Sequence, residues 1–167
     1  MKKIILIILS IIFIAPAFAE YKPIPPDLSK KYKAEIEKTI NKEYPKAIRK
    51  IDNHIKKANV YYGRILKNGC NSDYDMNAIN LNLMYEFESG ATLDIYDKLI
   101  EITQRKYLKQ SYEPIGTDYS GPLVNYLKPY FKDNNINTKK IDDIKKYESE
   151  KYKILKRYNE EVNKLCH

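Results

Sequence analysis

The sequence predicts an all-α protein, a bundle of four to five helices behind a cleavable N-terminal segment. Three observations predict it. Ile, Leu and Tyr recur at steps of three and four along most of the chain, which is the spacing of one helix face. Turn signals such as Asn68-Gly69 and Asp133-Asn134-Asn135 end those periodic stretches. The one alternating stretch has no second strand to pair with, and an isolated strand is not stable.

The first element lies outside the fold. Lys2 and Lys3 precede an apolar run from Ile4 to Ala15 that only Ser10 interrupts. Ala17 and Ala19 then stand at the −3 and −1 positions of a cut between Ala19 and Glu20. Residues 1–19 therefore read as a secretory signal peptide, with an apolar run too short to span a bilayer. No Cys follows the cut, so the product is expected to be periplasmic or secreted and not a lipoprotein. Residues 20–167, 148 of the 167, suit one domain.

Residues 20–27 carry Pro23, Pro25 and Pro26 and read as an extended lead-in with little tertiary role. Asp27 is expected to cap the helix that opens a single domain over 28–167. Leu28, Tyr32, Ile36, Ile40 and Tyr44 fall at steps of four, and Ala47, Ile51, Ile55, Ala58, Tyr62 and Ile65 continue the same face. Pro45 must kink or break this stretch, since proline clashes with the preceding turn. Asn68-Gly69 is a C-cap signal.

Residues 78–88 carry two patterns. Ile79, Leu81, Leu83, Tyr85 and Phe87 alternate as in a strand. Met76, Ile79, Leu83, Phe87, Ala91, Ile95, Leu99 and Ile102 also form a helix face, which is favoured, with a break near Gly90. Tyr74, Tyr85, Tyr96 and Tyr107, eleven apart, read as a half-buried stripe. Tyr112 to Gly121 is a loop. A short helix follows with Leu123, Leu127, Tyr130 and Phe131 inside and Pro129 limiting its length. Asn137 or Thr138 caps a last helix whose buried side includes Ile141, Ile144, Tyr147, Ile154, Leu155, Tyr158, Val162 and Leu165.

Charge narrows the partner class. Without Lys2 and Lys3, 28 basic and 22 acidic side chains leave +6. Twenty-six of the 30 basic residues are Lys, as an A+T-rich genome favours, whereas nucleic-acid binding draws more on Arg. Residues 20–68 carry +7, 69–118 carry −5 and 119–167 carry +4, as expected where complementary elements pack on one another. No nucleic-acid partner and no membrane span after residue 19 are expected.

Cys70 and Cys166 allow one pairing, and an even count outside the cytoplasm favours a disulfide. Each lies at the C-terminal end of a long helix, so the bond requires those two ends to meet. Cys166-His167 resembles the tail of a haem-attachment motif, but Asn163 stands where its first Cys belongs, and no cofactor is expected. His54 and His167 are the only histidines, with neither a zinc spacing nor a nucleophile motif beside them. His54 reads as solvated on a charged helix face. Asp73, Asp75 and Asn77 open like a calcium loop, but Ala78 and Met84 fail its glycine and glutamate positions. Asp133, Asn135 and Asn137 fail likewise, with Thr138 and Ile144. No metal site is expected.

Met76-Asn77-Ala78, Leu93…Tyr96…Leu99 and Gln104-Arg105-Lys106-Tyr107 are loosely similar to the helical domain of exported lysozyme inhibitors of the LprI type. That domain is cysteine-rich, and Ile79 stands where a Cys belongs. The blocks cover at most a third of the chain and imply one kind of binding role. The reading favoured overall is a non-enzymatic exported protein that binds a protein or glycan of the envelope or beyond. Its Tyr-rich, Lys-rich surface suits such a partner, because Tyr supplies contact area at low entropic cost. The rival is a cell-wall glycan hydrolase using two of Glu86, Glu88, Asp94, Asp97 and Glu101.

Overall fold

The computed structural model describes residues 21–70, 90–111 and 120–166, with side chains in the last stretch described from Val124 onward. Four α-helices are present and no strand occurs among these residues: α1 (Pro26–Asn68), α2 (Ala91–Glu101), α3 (Ser120–Asp133) and α4 (Lys139–Cys166). A π-helical segment, Ile102–Leu108, extends α2. The expected all-α bundle is the observed fold. The strand alternative over 78–88 lies outside the described residues, as do residues 1–20. Among the described residues, no helix is long and apolar enough to cross a membrane.

Two prolines set the start of α1. Pro25 occupies the cap position in an extended conformation, and its carbonyl accepts from the N–H groups of Leu28 (2.9 Å) and Ser29 (3.1 Å). Pro26 follows at the first helical position, where its missing N–H leaves no bond unmade. Asp27 is therefore inside the first turn rather than capping it, with its charge against the positive end of the helix. The lead-in also does more than expected. Ile24 is buried in the main core, and the Tyr21 ring packs edge-on against Tyr130 at 4.9 Å. The Tyr21 hydroxyl donates to Asp133. These contacts span more than a hundred residues, so no local pattern announces them.

α1 runs through Pro45 without a break. Buried residues on both sides, Ile40 and Glu43 before it and Ala47 and Ile51 after it, fix the two halves against the same neighbours. That shared packing offsets the ~3 kcal/mol of an interior proline. Pro129 likewise stands inside α3, which continues to Asp133 instead of stopping short. Ser120 and Gly121, expected in a loop, are helical. Asn135, at φ 49°, turns the chain after α3, and the Asn137 side chain accepts from the Lys139 N–H at 3.0 Å to open α4.

Gly69 ends α1 at φ 73°, and its N–H bonds to the Ile65 carbonyl at 3.0 Å. A Cβ there meets no atom within 4 Å, so backbone strain alone opposes a side chain. Gly69→Ala is expected to lower stability by about 1 kcal/mol, read from a urea midpoint. An unchanged midpoint would show that this turn relaxes freely.

Helix directions follow from the cross-contacts. α4 runs parallel to α1: Asn137 N–H meets Glu37 (3.1 Å), Lys140 meets Asn41 (2.7 Å), Tyr147 meets Asp52 (2.6 Å), and the Tyr62 hydroxyl donates to Glu161. α2 runs antiparallel to α1, from Asp94 beside Lys50 (2.5 Å) through Lys98 beside Glu43 (2.7 Å) to Tyr107 beside Glu35 (2.6 Å). The end of α3 docks at the start of α1, where Ser29 donates to the Asn134 side chain at 2.7 Å.

The apolar interior divides accordingly. The main core joins the first half of α1, α2 with its π segment, α3 and the first half of α4 around Tyr32, Ile36, Leu99, Ile100, Leu127 and Ile144. Farther along, the described core narrows to two small clusters made by α1 and α4 alone. Ala58 meets Leu155, and Ile65 meets Val162 beside Cys70 and Cys166. Leu165, expected inside, is 59% exposed, because its position turns it away from the seam that holds Val162 and Cys166.

Candidate functional site

Cys70 and Cys166 form the expected disulfide, with Cα atoms 5.4 Å apart. It joins the C-terminal ends of α1 and α4, which is the meeting of helix ends that the pairing requires. Ala19 and Glu20, the predicted cleavage pair, lie outside the described residues, as do Glu86, Glu88 and His167. Of the two calcium-like runs, the second is described: Asp133 accepts from the Tyr21 hydroxyl, Asn135 makes a turn and Asn137 opens α4. The run from Asp73 to Met84 is outside the described residues. His54 is half-buried on α1 and engaged with other groups, not simply solvated.

The described members of the central acidic set are ion-paired or otherwise engaged. Asp94 pairs with Lys50 at 2.5 Å and Glu101 with Arg105 at 2.8 Å, both carboxylates about half exposed. Asp97 also has an interaction partner. Three other carboxylates, which the sequence did not single out, hold together the head, the end of the bundle built around the main core. Glu43 is buried and bridges Lys98 of α2 at 2.7 Å and Lys46 at 2.9 Å. Glu35 receives Lys106 at 2.5 Å and the Tyr107 hydroxyl at 2.6 Å. Glu148 of α4 accepts from the N–H of Ala91 (2.6 Å) and of Thr92 (3.3 Å) and from the Thr92 hydroxyl (2.5 Å). The anion position at the start of α2 is thus filled by the chain itself.

Hydrogen bonds from Lys98 and Lys46 hold the Glu43 carboxyl below its ordinary 4.5. Burial pulls Glu35 upward, but hydrogen bonds from Lys106 and Tyr107 outweigh it and the net shift is downward. Both carboxyls prefer the charged form, the opposite of what a general acid needs. Because the folded values are depressed, their stabilisation is present above about pH 4.5 and lost as pH falls through the folded values. The urea midpoint is therefore expected to drop mainly below pH 4.5, and Glu43→Gln to flatten that drop. A variant with the same acid limb as the parent would remove Glu43 from this account.

The described surface also holds a groove of about 610 Å³ between α1 and α4, lined by Tyr44, Pro45, Ile48, Arg49, Asp143 and Tyr147. Helical spacing explains it. Positions 44, 45, 48 and 49 share one side of α1, and 143 and 147 are one turn apart on the parallel α4. Pro45 has no N–H and leaves an apolar floor with Ile48. Each tyrosine ring has a lysine over it: Lys140 Nζ lies 5.4 Å from the Tyr44 ring centre and Lys151 Nζ 4.9 Å from that of Tyr147. The Tyr147 hydroxyl donates to Asp52 at 2.6 Å, which raises its pKa and keeps it neutral. Arg49 Nε donates to the Pro45 carbonyl at 3.2 Å. The groove thus combines an apolar floor and aromatic walls with a guanidinium and a carboxylate at the rim.

The sequence placed Tyr44 and Tyr147 on buried helix faces and did not separate them as a site. Only the parallel alignment of segments about a hundred residues apart makes them neighbours. Among the described residues, no group of three His, Cys, Asp or Glu side chains is placed to hold a metal ion. The second and third blocks of the lysozyme-inhibitor resemblance lie on α2 and its π segment, and the first lies outside the described residues. No protein-family model matches the chain, and no curated protein or solved structure is significantly similar to it.

Proposed function

We propose that this chain is an exported, non-enzymatic helical protein that binds a protein or glycan partner in the envelope or outside the cell. The groove between α1 and α4 carries the reading. Its apolar floor of Pro45 and Ile48 lies between the Tyr44 and Tyr147 rings, with Arg49 and Asp143 at the rim. Export is supported by residues 1–19, with their basic start, apolar run and Ala17-Phe18-Ala19 cut, and by the Cys70–Cys166 disulfide, a bond of oxidising compartments.

A photoreactive side chain at position 49, in protein produced by its own cells, tests the groove. A discrete adduct is expected from position 49 and none from position 38, which is exposed elsewhere on α1. Equal labelling from both positions, or none from 49, would overturn the groove as the binding site.

A further inference from the structure

Among the described residues, the far end of the α1–α4 pair differs in charge from the rest. Residues 53–68 of α1 and 151–166 of α4 hold nine basic and two acidic side chains, against nineteen and thirteen over the other described residues. Both acids of this arm are engaged. Glu161 accepts the Tyr62 hydroxyl and lies 3.7 Å from Arg157, and Glu160 lies 3.9 Å from Lys156. Lys56, Val60, Arg64 and Lys67 recur at steps of four, four and three, so they form one exposed stripe on the side of α1 away from buried Ala58 and Ile65. Lys153, Arg157 and Lys164 do the same on α4, away from Leu155 and Val162.

Apolar side chains accompany that charge. Val60 is 48% exposed, Leu66 54% and Leu165 59%. Leu66 lies one turn before Cys70 and Leu165 adjoins Cys166, so the disulfide sets both leucines at one apex, flanked by Lys67 and Lys164.

We propose that this apex docks on an anionic lipid bilayer. Leu66 and Leu165 enter the interfacial layer while the surrounding lysines meet the headgroups. A basic surface alone would fit any polyanion. The pairing of two water-exposed leucines with lysines at a covalently closed tip is the pattern of an interfacial anchor. No spanning helix is needed for such superficial docking. The proposal does not depend on the groove, which lies nearer the main core.

Oxidised protein comprising residues 20–167 is mixed with vesicles of phosphatidylglycerol and phosphatidylcholine, or of phosphatidylcholine alone, and sedimented. Binding at least about tenfold stronger to the anionic vesicles is expected, weakening with salt. Leu66→Ser with Leu165→Ser is expected to lose about tenfold or more, with helical content and disulfide intact. Lys67→Glu with Lys164→Glu is expected to weaken binding too. Lys30→Glu with Lys38→Glu, in the head, should leave it unchanged. Equal binding to both vesicle types, an unaffected leucine variant, or loss in the head control would each overturn the proposal. Capture of soluble polyphosphate without vesicle binding would overturn it as well and assign the arm to a soluble polyanion.

Discussion

The Cys70→Ser, Cys166→Ser double variant is expected to lose about 4–5 kcal/mol of stability in the chain-entropy account, since the bond closes a separation of 96 residues. That is roughly a quarter or more of the ~5–15 kcal/mol that a typical domain possesses. The loss should be uneven. Among the described residues the buried core of the arm is only the small Ala58–Leu155 and Ile65–Val162 clusters, whereas the head shares a core built from all four helices. Amide exchange in the double variant should therefore rise first across 55–66 and 152–164, with Tyr32 to Ile51 still protected. Equal urea midpoints for the oxidised parent and the variant would sink this account. Uniform loss of protection would show instead that arm and head unfold as one unit.

Tyr32→Ala is expected to destabilise the protein by about 3–5 kcal/mol, because a fully buried ring is removed from the centre of the head. Tyr32 packs edge-on against Tyr107 at 4.9 Å, and its hydroxyl lies 2.9 Å from Thr103 Oγ1. The Thr103 hydroxyl donates its one hydrogen to the Leu99 carbonyl at 2.6 Å. Tyr32 must then be the donor to Thr103. Tyr32→Phe consequently leaves the Thr103 proton satisfied, and its cost should be only about 1 kcal/mol. The two variants separate the ring from its hydroxyl. If phenylalanine proved as damaging as alanine in thermal or urea unfolding, the hydroxyl rather than the packed ring would be the main contributor.

Helix faces were legible in the sequence because a buried side repeats every three or four residues. Tyr32, Ile36, Ile40, Ala47, Ile51, Ala58 and Ile65 are all buried as that spacing predicts. Ile95, Leu99, Leu127, Ile141, Ile144, Leu155 and Val162 follow the same rule. The disulfide was legible by elimination, and with it the meeting of two helix ends. Other features depend on partners that periodicity does not name. Glu43 stands among apolar neighbours on α1, and its burial makes sense only beside Lys98 of α2. Ile24 and Tyr21 occupy a proline-rich stretch, yet Ile24 is buried in the main core and Tyr21 is held by Tyr130 and Asp133. The π-helical turn that brings Thr103, Gln104 and Tyr107 inward has no marker in composition. The groove needs two helices in parallel register, and one sequence shows only the side that each helix buries.

Parallel pairing of the first helix with the last has a temporal consequence. Synthesis delivers α1 well before α4, and the contacts between them join residues about a hundred positions apart. Until the final segment emerges, Ala58 and Ile65 have no α4 residue to cover them. Late closure of this kind slows folding, since the ordering cost of a long loop precedes the contacts that offset it. The nascent chain therefore passes through an interval in which the apolar face of the distal half of α1 is uncovered and open to a holding chaperone.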